Sequence, residues 1–387
     1  MKNIFVLMAY ILASALFLAS ASIAQDTINN AQPPTGWRDQ SPHRIQFVTV
    51  EKDVQLEVLD WGGSGRPLVL LAGQGLTAHV FDDFALKVAT DNHVYGITRR
   101  GFGASSTPEQ GYSADRLGDD VLAVLDALKL DHPVLVGHSI AGQELSSVGT
   151  RHPERISGLI YLDAGYGHAY YDTSQGYYPI DQLELKKKLE QMEKLLIENN
   201  LAEGNTLANE LLQKLLPRFE RSLKQEMDMR SAAARMQSAP SAPSAADLAS
   251  VRAFRTWLSR AQGFTLPEAE LRQQFEIAHD GHIVGQKPPR LSTQIAIAYG
   301  MQKHTDIRVP SLAIFAMPSD LRIAESNDQV IRAKIEYSKI VDAIATAFET
   351  GNPSARVVRV PNANHVVFQS NETDVLREMK AFLSNLR

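Results

Sequence analysis

The chain has 387 residues, of which 44% are hydrophobic and 21% are charged. At about 150 residues per domain, this length predicts two or three domains, or one large domain with an insertion. The composition excludes a disordered or fibrous protein, the net charge of -5 argues against a nucleic-acid partner, and the absence of cysteine excludes disulfides, thiolate metal sites and a cysteine nucleophile.

Residues 1–24 have the pattern of a signal peptide. Lys2 precedes an apolar run over about residues 4–19, and Ala-Ser-Ile-Ala at 21–24 forms a small-x-small cleavage site before Gln25. Because the apolar run is shorter than the roughly 20 residues of a spanning helix, cleavage is favoured over an uncleaved membrane anchor. We therefore expect an exported protein, periplasmic or secreted, with no stable membrane span after cleavage. Residues 25–40 are predicted to be a loose lead-in.

The pattern that follows predicts a mostly parallel sheet. Residues 44–51 and 54–60, separated by Lys52 and Asp53, predict an antiparallel hairpin. Short apolar runs then alternate with stretches of helical period, which predicts buried parallel strands joined by right-handed crossover helices. The predicted strands are 67–72, 94–98, 133–137 and 159–162, and the predicted helices are 80–89, 113–128 and 140–151.

The alternation of strands and helices stops after Asp163. Residues 166–305 have the pattern of amphipathic helices and loops, with leucine stripes that predict helix packing. The strand pattern resumes at 311–316 and 356–360, and a helix over about 373–386 closes the chain. We therefore predict one α/β core interrupted by a helical cap. The predicted boundaries are 41–165 for the first part of the core, 166–305 for the cap and 306–387 for the second part.

Gly137-His138-Ser139-Ile140-Ala141 lies between a predicted strand and a predicted helix. Small residues two positions before and after Ser139 are what a strained strand-to-helix turn needs, since larger side chains would collide across it. Such a turn exposes the hydroxyl, which makes Ser139 the candidate nucleophile. Ala141 replaces the second glycine of the G-x-S-x-G pattern and still meets the steric demand. His138 is expected to point away and to be a structural neighbour only.

A serine nucleophile needs a base to take its proton, and the base needs an acid to fix its tautomer. His365 follows the last predicted strand and precedes the closing helix, so it is the candidate base. Asp320, after strand 311–316, is the preferred acid, because we expect the neighbouring strand to give the shortest reach to His365. Asp163, after strand 159–162, is the alternative acid; its other interpretation is a cap at the hinge of the insertion.

These features resemble the capped serine hydrolases of the α/β-hydrolase superfamily over about residues 45–386. Leu-Leu-Ala-Gly-Gln-Gly at 70–75 is similar to the family's oxyanion loop, with Ala72 where histidine is common. Arg-Gly-Phe-Gly-Ala-Ser at 100–105 is similar to its R-G-x-G-x-S turn, with Thr98 where aspartate is usual, and Pro-Asn-Ala-Asn-His at 361–365 resembles the turn of its catalytic histidine. The resemblance implies an α/β-hydrolase fold, a mostly parallel sheet flanked by helices, with an inserted helical cap.

Backbone N–H groups of Gln74 and Ile140 are the expected oxyanion hole, because acyl transfer builds negative charge on the carbonyl oxygen. Gly73 would let the backbone approach the substrate, although Gly73 and Gly75 also fit a plain turn.

Aromatic residues of the predicted cap are candidates for a substrate-facing wall, although they also suit the cap's own core. The candidates are Tyr166, Tyr170, Tyr171 and Trp257. A cap favours a small or medium, partly apolar substrate. Ala-His-Asp-Gly-His at 278–282 lacks further spaced ligands and is interpreted as a polar turn, not a metal site.

The sequence therefore predicts an exported serine hydrolase that cleaves a small to medium carboxylic ester through an acyl-enzyme, with no cofactor and no metal. A cofactor-free acyltransferase or perhydrolase, an amidase, a lactonase or a C–C bond hydrolase would use the same triad. Serine at position 139 argues against epoxide hydrolases and haloalkane dehalogenases of similar fold, which use an aspartate nucleophile. A catalytically silent binding protein is the alternative from another class.

Overall fold

A computed structural model of the protein describes residue 37 and residues 39–236, 242–287, 291–318 and 328–386. The predicted signal peptide and nearly all of the predicted lead-in lie outside the described residues. The strands are β1 (Arg44–Glu51), β2 (Val54–Gly62), β3 (Arg66–Leu71), β4 (Asn92–Ile97), β5 (Val134–His138), β6 (Gly158–Leu162), β7 (Phe275–Ile277), β8 (Ile283–Gln286), β9 (Ser311–Met317) and β10 (Ala355–Pro361).

Helices connect the strands and also fill the chain between β6 and β9. Those nearest the sheet strands in sequence are α1 (Asp82–Val88), α2 (Ala114–Leu128), α3 (Gly142–Arg151), α11 (Asp328–Gly351), α12 (Val367–Ser370) and α13 (Glu372–Asn385). Those between β6 and β9 are α4 (Tyr178–Ile197), α5 (Leu201–Glu210), α6 (Leu216–Met236), α7 (Ala245–Leu248), α8 (Val251–Gln262), α9 (Glu268–Gln274) and α10 (Leu291–Tyr299).

Eight strands form one sheet in the order β1-β2-β4-β3-β5-β6-β9-β10. β2 pairs antiparallel with β1 and with β4, and the remaining pairs are parallel. The carboxyl ends of the parallel strands therefore share one edge of the sheet. Each strand predicted in the core is present within two residues at either end, so the predicted hairpin and mostly parallel sheet are confirmed.

Helices cover both faces of this sheet. Because successive side chains of a strand point to opposite faces, Leu70 packs with Phe84 of α1 and Phe368 of α12. Its neighbour Val69 joins the other apolar cluster, with Val124 of α2. Because the central strands are buried on both faces, they are nearly continuous apolar runs in the sequence.

The chain between β6 and β9, residues 163–310, is called the intervening segment. It contains α4 to α10 and a small antiparallel sheet of β7 and β8, which the sequence analysis did not predict. The polar turn predicted at 278–282 joins these two strands, with Gly281 at a φ of 90°. The long helix α11 was also not predicted. Within the described residues, none of the helices has the length and apolar character needed to cross a membrane.

Candidate active site

Ser139 lies at the sharp turn between β5 and α3. Its φ is 56°, in the left-handed region that costs energy for a residue other than glycine. The turn tolerates only small neighbours, because a Cβ on Gly137 would lie 2.9 Å from Leu145 Cδ1 and 3.1 Å from Ala141 Cβ. Alanine at position 141 therefore fits where a larger side chain would collide. The turn holds the Ser139 hydroxyl at the carboxyl edge of the sheet.

His365 lies between Ser139 and an aspartate. Its Nε2 is 2.8 Å from Ser139 Oγ, and its Nδ1 is 2.6 Å from Asp163 Oδ2. The Asp163 side chain is 3% exposed, whereas that of His365 is 31% exposed. The buried carboxylate accepts a hydrogen bond from Nδ1–H, which leaves the Nε2 lone pair directed at the serine hydroxyl. These three side chains have the geometry of a Ser-His-Asp triad.

The acid beside His365 is the alternative of the two candidates from the sequence. The preferred candidate, Asp320, lies outside the described residues. In the sheet order, β6 is the direct neighbour of β5, and the loop after β10 brings His365 back past β9 to Ser139. The carboxylate that meets the imidazole in the described residues thus follows the strand next to that of Ser139. This geometry reverses our order of preference and favours Asp163.

Hydrogen bonds to the backbone and to the side chain of Asp163 hold it in place. Its φ is 46°, and its N–H donates to Ile314 O at 2.7 Å. Its Oδ1 accepts hydrogen bonds from Ala316 N and from the Tyr166 hydroxyl, each at 2.9 Å. Burial raises the pKa of Tyr166 well above its ordinary value, so the phenol keeps the proton that it donates. Tyr166, a candidate for the substrate wall, thus orients the acid.

Two buried histidines that the sequence analysis did not assign to the site hold its backbone. His168 Nε2 donates to Ser139 O at 3.0 Å, and His138 Nε2 donates to His365 O at 2.9 Å. Burial lowers their pKa values to about 4 and about 3, so both rings are neutral. The expectation that His138 points away was wrong, because its ring centroid lies 4.7 Å from that of His365.

The loop after β3 passes close to the nucleophile. A Cβ on Gly73 would lie 3.2 Å from Ser139 Cβ and 2.8 Å from His138 Nδ1, so the backbone needs glycine here. The N–H of Gln74 belongs to this loop, and the N–H of Ile140 directly follows the nucleophile. Their expected role as oxyanion donors stays a prediction.

The remaining aromatic candidates pack within the protein instead of forming one wall. Tyr171 is 1% exposed, and its hydroxyl donates to Asp181 of α4. Trp257 is 7% exposed and stacks on Phe254 with ring centroids 5.4 Å apart. Tyr170 packs on Phe348 of α11 at 5.9 Å. The predicted pocket role is therefore corrected to packing for Tyr170, Tyr171 and Trp257, because their rings or hydroxyls contact residues of helices.

The intervening segment contacts both loops that carry the site. Gln74 Nε2 donates to Gln294 O of α10 at 3.5 Å, and Ile140 packs with Ile297 of the same helix. On the other side, Asn364 Nδ2 donates to Gly263 O at 3.0 Å. The segment therefore borders the nucleophile on one side and the histidine loop on the other.

Thr77, three residues after Gln74, is bound to a buried carboxyl group of α9. Its N–H lies 3.2 Å from Glu270 Oε2, and its hydroxyl donates to the same oxygen. Glu270 is fully buried, and burial raises its pKa from 4.5 to about 7. Gln274 donates to the other carboxylate oxygen at 2.8 Å.

Comparison with known proteins identifies a family model and several relatives that match this chain. A family model described as alpha/beta hydrolase fold matches residues 66–372. The non-heme chloroperoxidase CPO-A1 of Kitasatospora aureofaciens is 37% identical over 123 residues, which are 31% of this chain and 44% of that protein. The 2-(acetamidomethylene)succinate hydrolase of Mesorhizobium japonicum is 26% identical over 119 residues, 30% of this chain and 43% of that protein. The matched segments thus span less than half the length of these curated relatives.

Solved structures match over most of the chain. The crystal structure of E-2-(acetamidomethylene)succinate hydrolase has a TM-score of 0.54 and 16% identity, covering 88% of this chain and 99% of that one. A bromoperoxidase from Bacillus anthracis has a TM-score of 0.50 and 16% identity, covering 88% and 100%. At this identity the likeness shows the fold alone.

Proposed function

The chain belongs to the α/β-hydrolase fold family, and on that basis we propose that it is a serine hydrolase that cleaves small to medium carboxylic esters. The observation that carries the proposal is the position of His365, 2.8 Å from Ser139 Oγ and 2.6 Å from Asp163 Oδ2. A hydroxyl, an imidazole and a buried carboxylate in this order supply the nucleophile, the base and the group that orients the base.

In the proposed reaction, Ser139 Oγ attacks the ester carbonyl carbon while His365 Nε2 takes the hydroxyl proton. Asp163 stabilises the imidazolium that forms. The N–H groups of Gln74 and Ile140 donate to the negative carbonyl oxygen. The bond to the alcohol then breaks, and His365 gives its proton to the leaving oxygen. Water loses a proton to Nε2 and attacks the acyl carbon. The bond from that carbon to Ser139 Oγ then breaks, Nε2 returns its proton to Oγ, and the carboxylic acid leaves.

We propose further that the intervening segment is a cap over this site. Its support is the set of contacts that it makes on both sides of the triad, from α10 to Gln74 and from Gly263 to Asn364. A cover fixed at both sides restricts the site to molecules that fit beneath it. This favours a small or medium, partly apolar ester over an insoluble polymer.

Transfer of the acyl group to an acceptor other than water is a second candidate reaction. It uses the same acyl-enzyme, because only the attacking group of the second step differs. The specific support is the 37% identity to a non-heme chloroperoxidase over 123 residues. Product analysis with and without hydrogen peroxide distinguishes the two reactions, since a peracid forms only in the second.

We also propose that the protein is exported and loses residues 1–24. The support is the order of Lys2, an apolar run and a small-x-small site in the sequence.

A serine-reactive phosphonate and a panel of esters with increasing acyl length test the proposed function. We expect the wild type to be labelled and to cleave short or medium esters. Ser139→Ala should lose both properties while it keeps its fold, because the hydroxyl contributes little to the core. Ser146→Ala is the matched control, a buried serine of α3 whose Oγ contacts Tyr161. Substantial turnover by folded Ser139→Ala, or a wild type that cleaves none of the esters, would contradict the proposal.

A further inference from the structure

A second group of histidines and carboxylates lies outside the triad, where the segment before β1 meets the 3₁₀ turn Ala78–Phe81. Asp39, His43 and His79 each present one side-chain atom within 4.8 Å of the others. The side chains of His43 and His79 are 1% and 3% exposed, and that of Asp39 is 19% exposed. The group is therefore almost closed to solvent, with one side open at Asp39.

The two imidazoles converge on a single carboxylate oxygen. Asp39 Oδ2 lies 3.4 Å from His43 Nε2 and 3.6 Å from His79 Nδ1. A hydrogen bond of this type is normally about 2.7 to 3.2 Å long. Two ligand atoms of a tetrahedral ion with bonds of about 2.0 to 2.1 Å lie about 3.3 Å apart. These two separations thus fit ligands around an ion better than direct hydrogen bonds, and the two imidazole nitrogens lie within 4.8 Å of each other.

His79 Nδ1 gives independent support for a missing partner. It is buried and has no hydrogen-bond partner among the described residues. Leaving a buried polar atom unsatisfied costs about 1 to 3 kcal/mol. The atom lies 3.6 Å from Asp39 Oδ2 and 3.7 Å from Asp82 Oδ2, too far for a hydrogen bond to either, so an ion between it and Asp39 would satisfy it.

The other ring nitrogens contact carboxylates, as metal-binding histidines usually do. His43 Nδ1 lies 2.8 Å from Asp82 Oδ1, and His79 Nε2 lies 3.4 Å from Glu57 Oε1. The His43 contact has the length of a hydrogen bond and favours the proton on the outer nitrogen, which would leave the inner nitrogen of that ring to bind an ion.

The carboxylates of this outer layer have further partners of their own. Asp82 also accepts from Trp61 Nε1 at 3.0 Å and from Ser41 Oγ at 2.9 Å. Asp39 Oδ1 accepts from Ser41 N at 2.9 Å, which turns Oδ2 towards the histidines.

We propose that Asp39 Oδ2, His43 Nε2 and His79 Nδ1 bind a divalent transition-metal ion of the zinc class, with water as the fourth ligand on the side of Asp39. Two imidazoles and one carboxylate suit zinc, whereas magnesium and calcium prefer oxygen ligands alone. The ion clamps the chain before β1 to the turn that follows the Gln74 loop. The sequence analysis expected no metal and did not single out these residues, because His79 lies far from Asp39 and His43 in the sequence.

Metal analysis of the whole protein tests this proposal. The chain is stripped with a chelator, equilibrated with zinc, passed through a desalting column and measured for bound metal. We expect one zinc ion per chain and a higher midpoint of thermal unfolding than for the stripped protein. Cobalt in place of zinc should give the strong visible absorption of a tetrahedral site.

Three variants identify the ligands. His79→Gln and Asp39→Asn should lose the bound zinc, the cobalt absorption and the thermal shift. His93→Gln is the matched control and should retain all three. His93 also contacts an aspartate, with Nε2 2.8 Å from Asp60 Oδ1, but among the described residues it belongs to no such group of ligands. If His79→Gln fails to fold, Asp39→Asn alone decides. A wild type that retains no stoichiometric zinc, or folded variants that retain as much as the control, would overturn the proposal in favour of an ion-pair network.

Discussion

Asp163 uses both oxygens of its carboxylate, Oδ2 towards His365 and Oδ1 towards Ala316 and Tyr166. An asparagine in its place keeps the shape and loses the charge that stabilises the imidazolium. At the residue scale, the roles of Asp163 and Asp320 can therefore be separated by the effect of each on kcat.

We expect Asp163→Asn to lower kcat by about 10⁴, the loss typical of a triad acid. Asp320→Asn, the change at the candidate that the sequence favoured, should leave kcat within a small factor of the wild type. Steady-state kinetics on the best ester of the panel measures both. The opposite ranking would return the role of the acid to Asp320.

Ser139 and His365 were predictable because each belongs to a short local motif between a strand and a helix. The contact of Asp163 with His365 was not, since it depends on the order of strands in the sheet, which the chain order does not give. His168 was missed for a related reason: it meets Ser139 only because the chain turns back after β6. Its one signal in the sequence is its place five residues after Asp163, among tyrosines.

At the scale of elements, α3 begins in close contact with the turn that contains Asp163. A Cβ on Gly142, the first residue of α3, would lie 2.1 Å from Ala164 O. The backbone cannot yield without moving the acid or the nucleophile, because Asp163 and Ser139 flank the contact.

Gly142→Ala should therefore lower the free energy of unfolding by about 1 to 3 kcal/mol and also reduce kcat. Gly204→Ala in α5 is the control, because nothing lies within 4 Å of the added Cβ. That change should stabilise the protein by about 0.4 to 1 kcal/mol through the unfolded state. Urea unfolding compares the two, and equal effects would show that the contact at Gly142 relaxes freely.

Glu270 makes the contact of α9 with Thr77 dependent on pH. Its pKa is raised by burial from 4.5 to about 7. Between these values the unfolded chain has lost the Glu270 proton while the folded chain keeps it. The folded state binds more protons there, so the free energy of unfolding falls as pH rises through this window, by at most about 3 kcal/mol from this group.

Glu270→Gln should remove this decline and leave a flatter stability profile between about pH 5 and about pH 8. Glu268→Gln, in the same helix, should keep the profile of the wild type, because Glu268 is 42% exposed and pairs with Arg272. Chemical unfolding at several pH values gives both profiles. A decline that persists in Glu270→Gln would assign it to other groups.

At the scale of the whole molecule, the predicted α/β-hydrolase fold is confirmed. It could be predicted because hydrophobic runs and their spacing determine which segments become buried strands. Contacts between segments that are distant in sequence cannot be predicted from hydrophobic runs. The group of Asp39, His43 and His79 and the packing of Tyr171 and Trp257 became visible only in three dimensions.

Export also concerns the whole chain. Lys2 is the one charged residue of residues 1–24, so cleavage after Ala24 takes the net charge from -5 to -6. We expect mass spectrometry of protein recovered from the periplasm or the medium of an expressing bacterium to show Gln25 as the first residue. Recovery of the uncleaved chain in the membrane fraction would support an anchor instead.

The hydrogen bond from Ala316 N to Asp163 Oδ1 connects a backbone amide of β9 with the carboxylate that orients His365. The magnetic resonance frequency of an amide proton depends on the charge and distance of its acceptor. In a nitrogen-15-labelled sample, the Ala316 signal should therefore shift when His365 gains a proton or when an inhibitor occupies Ser139. A buried strand residue would report each step at the triad, with no probe in the path of the substrate.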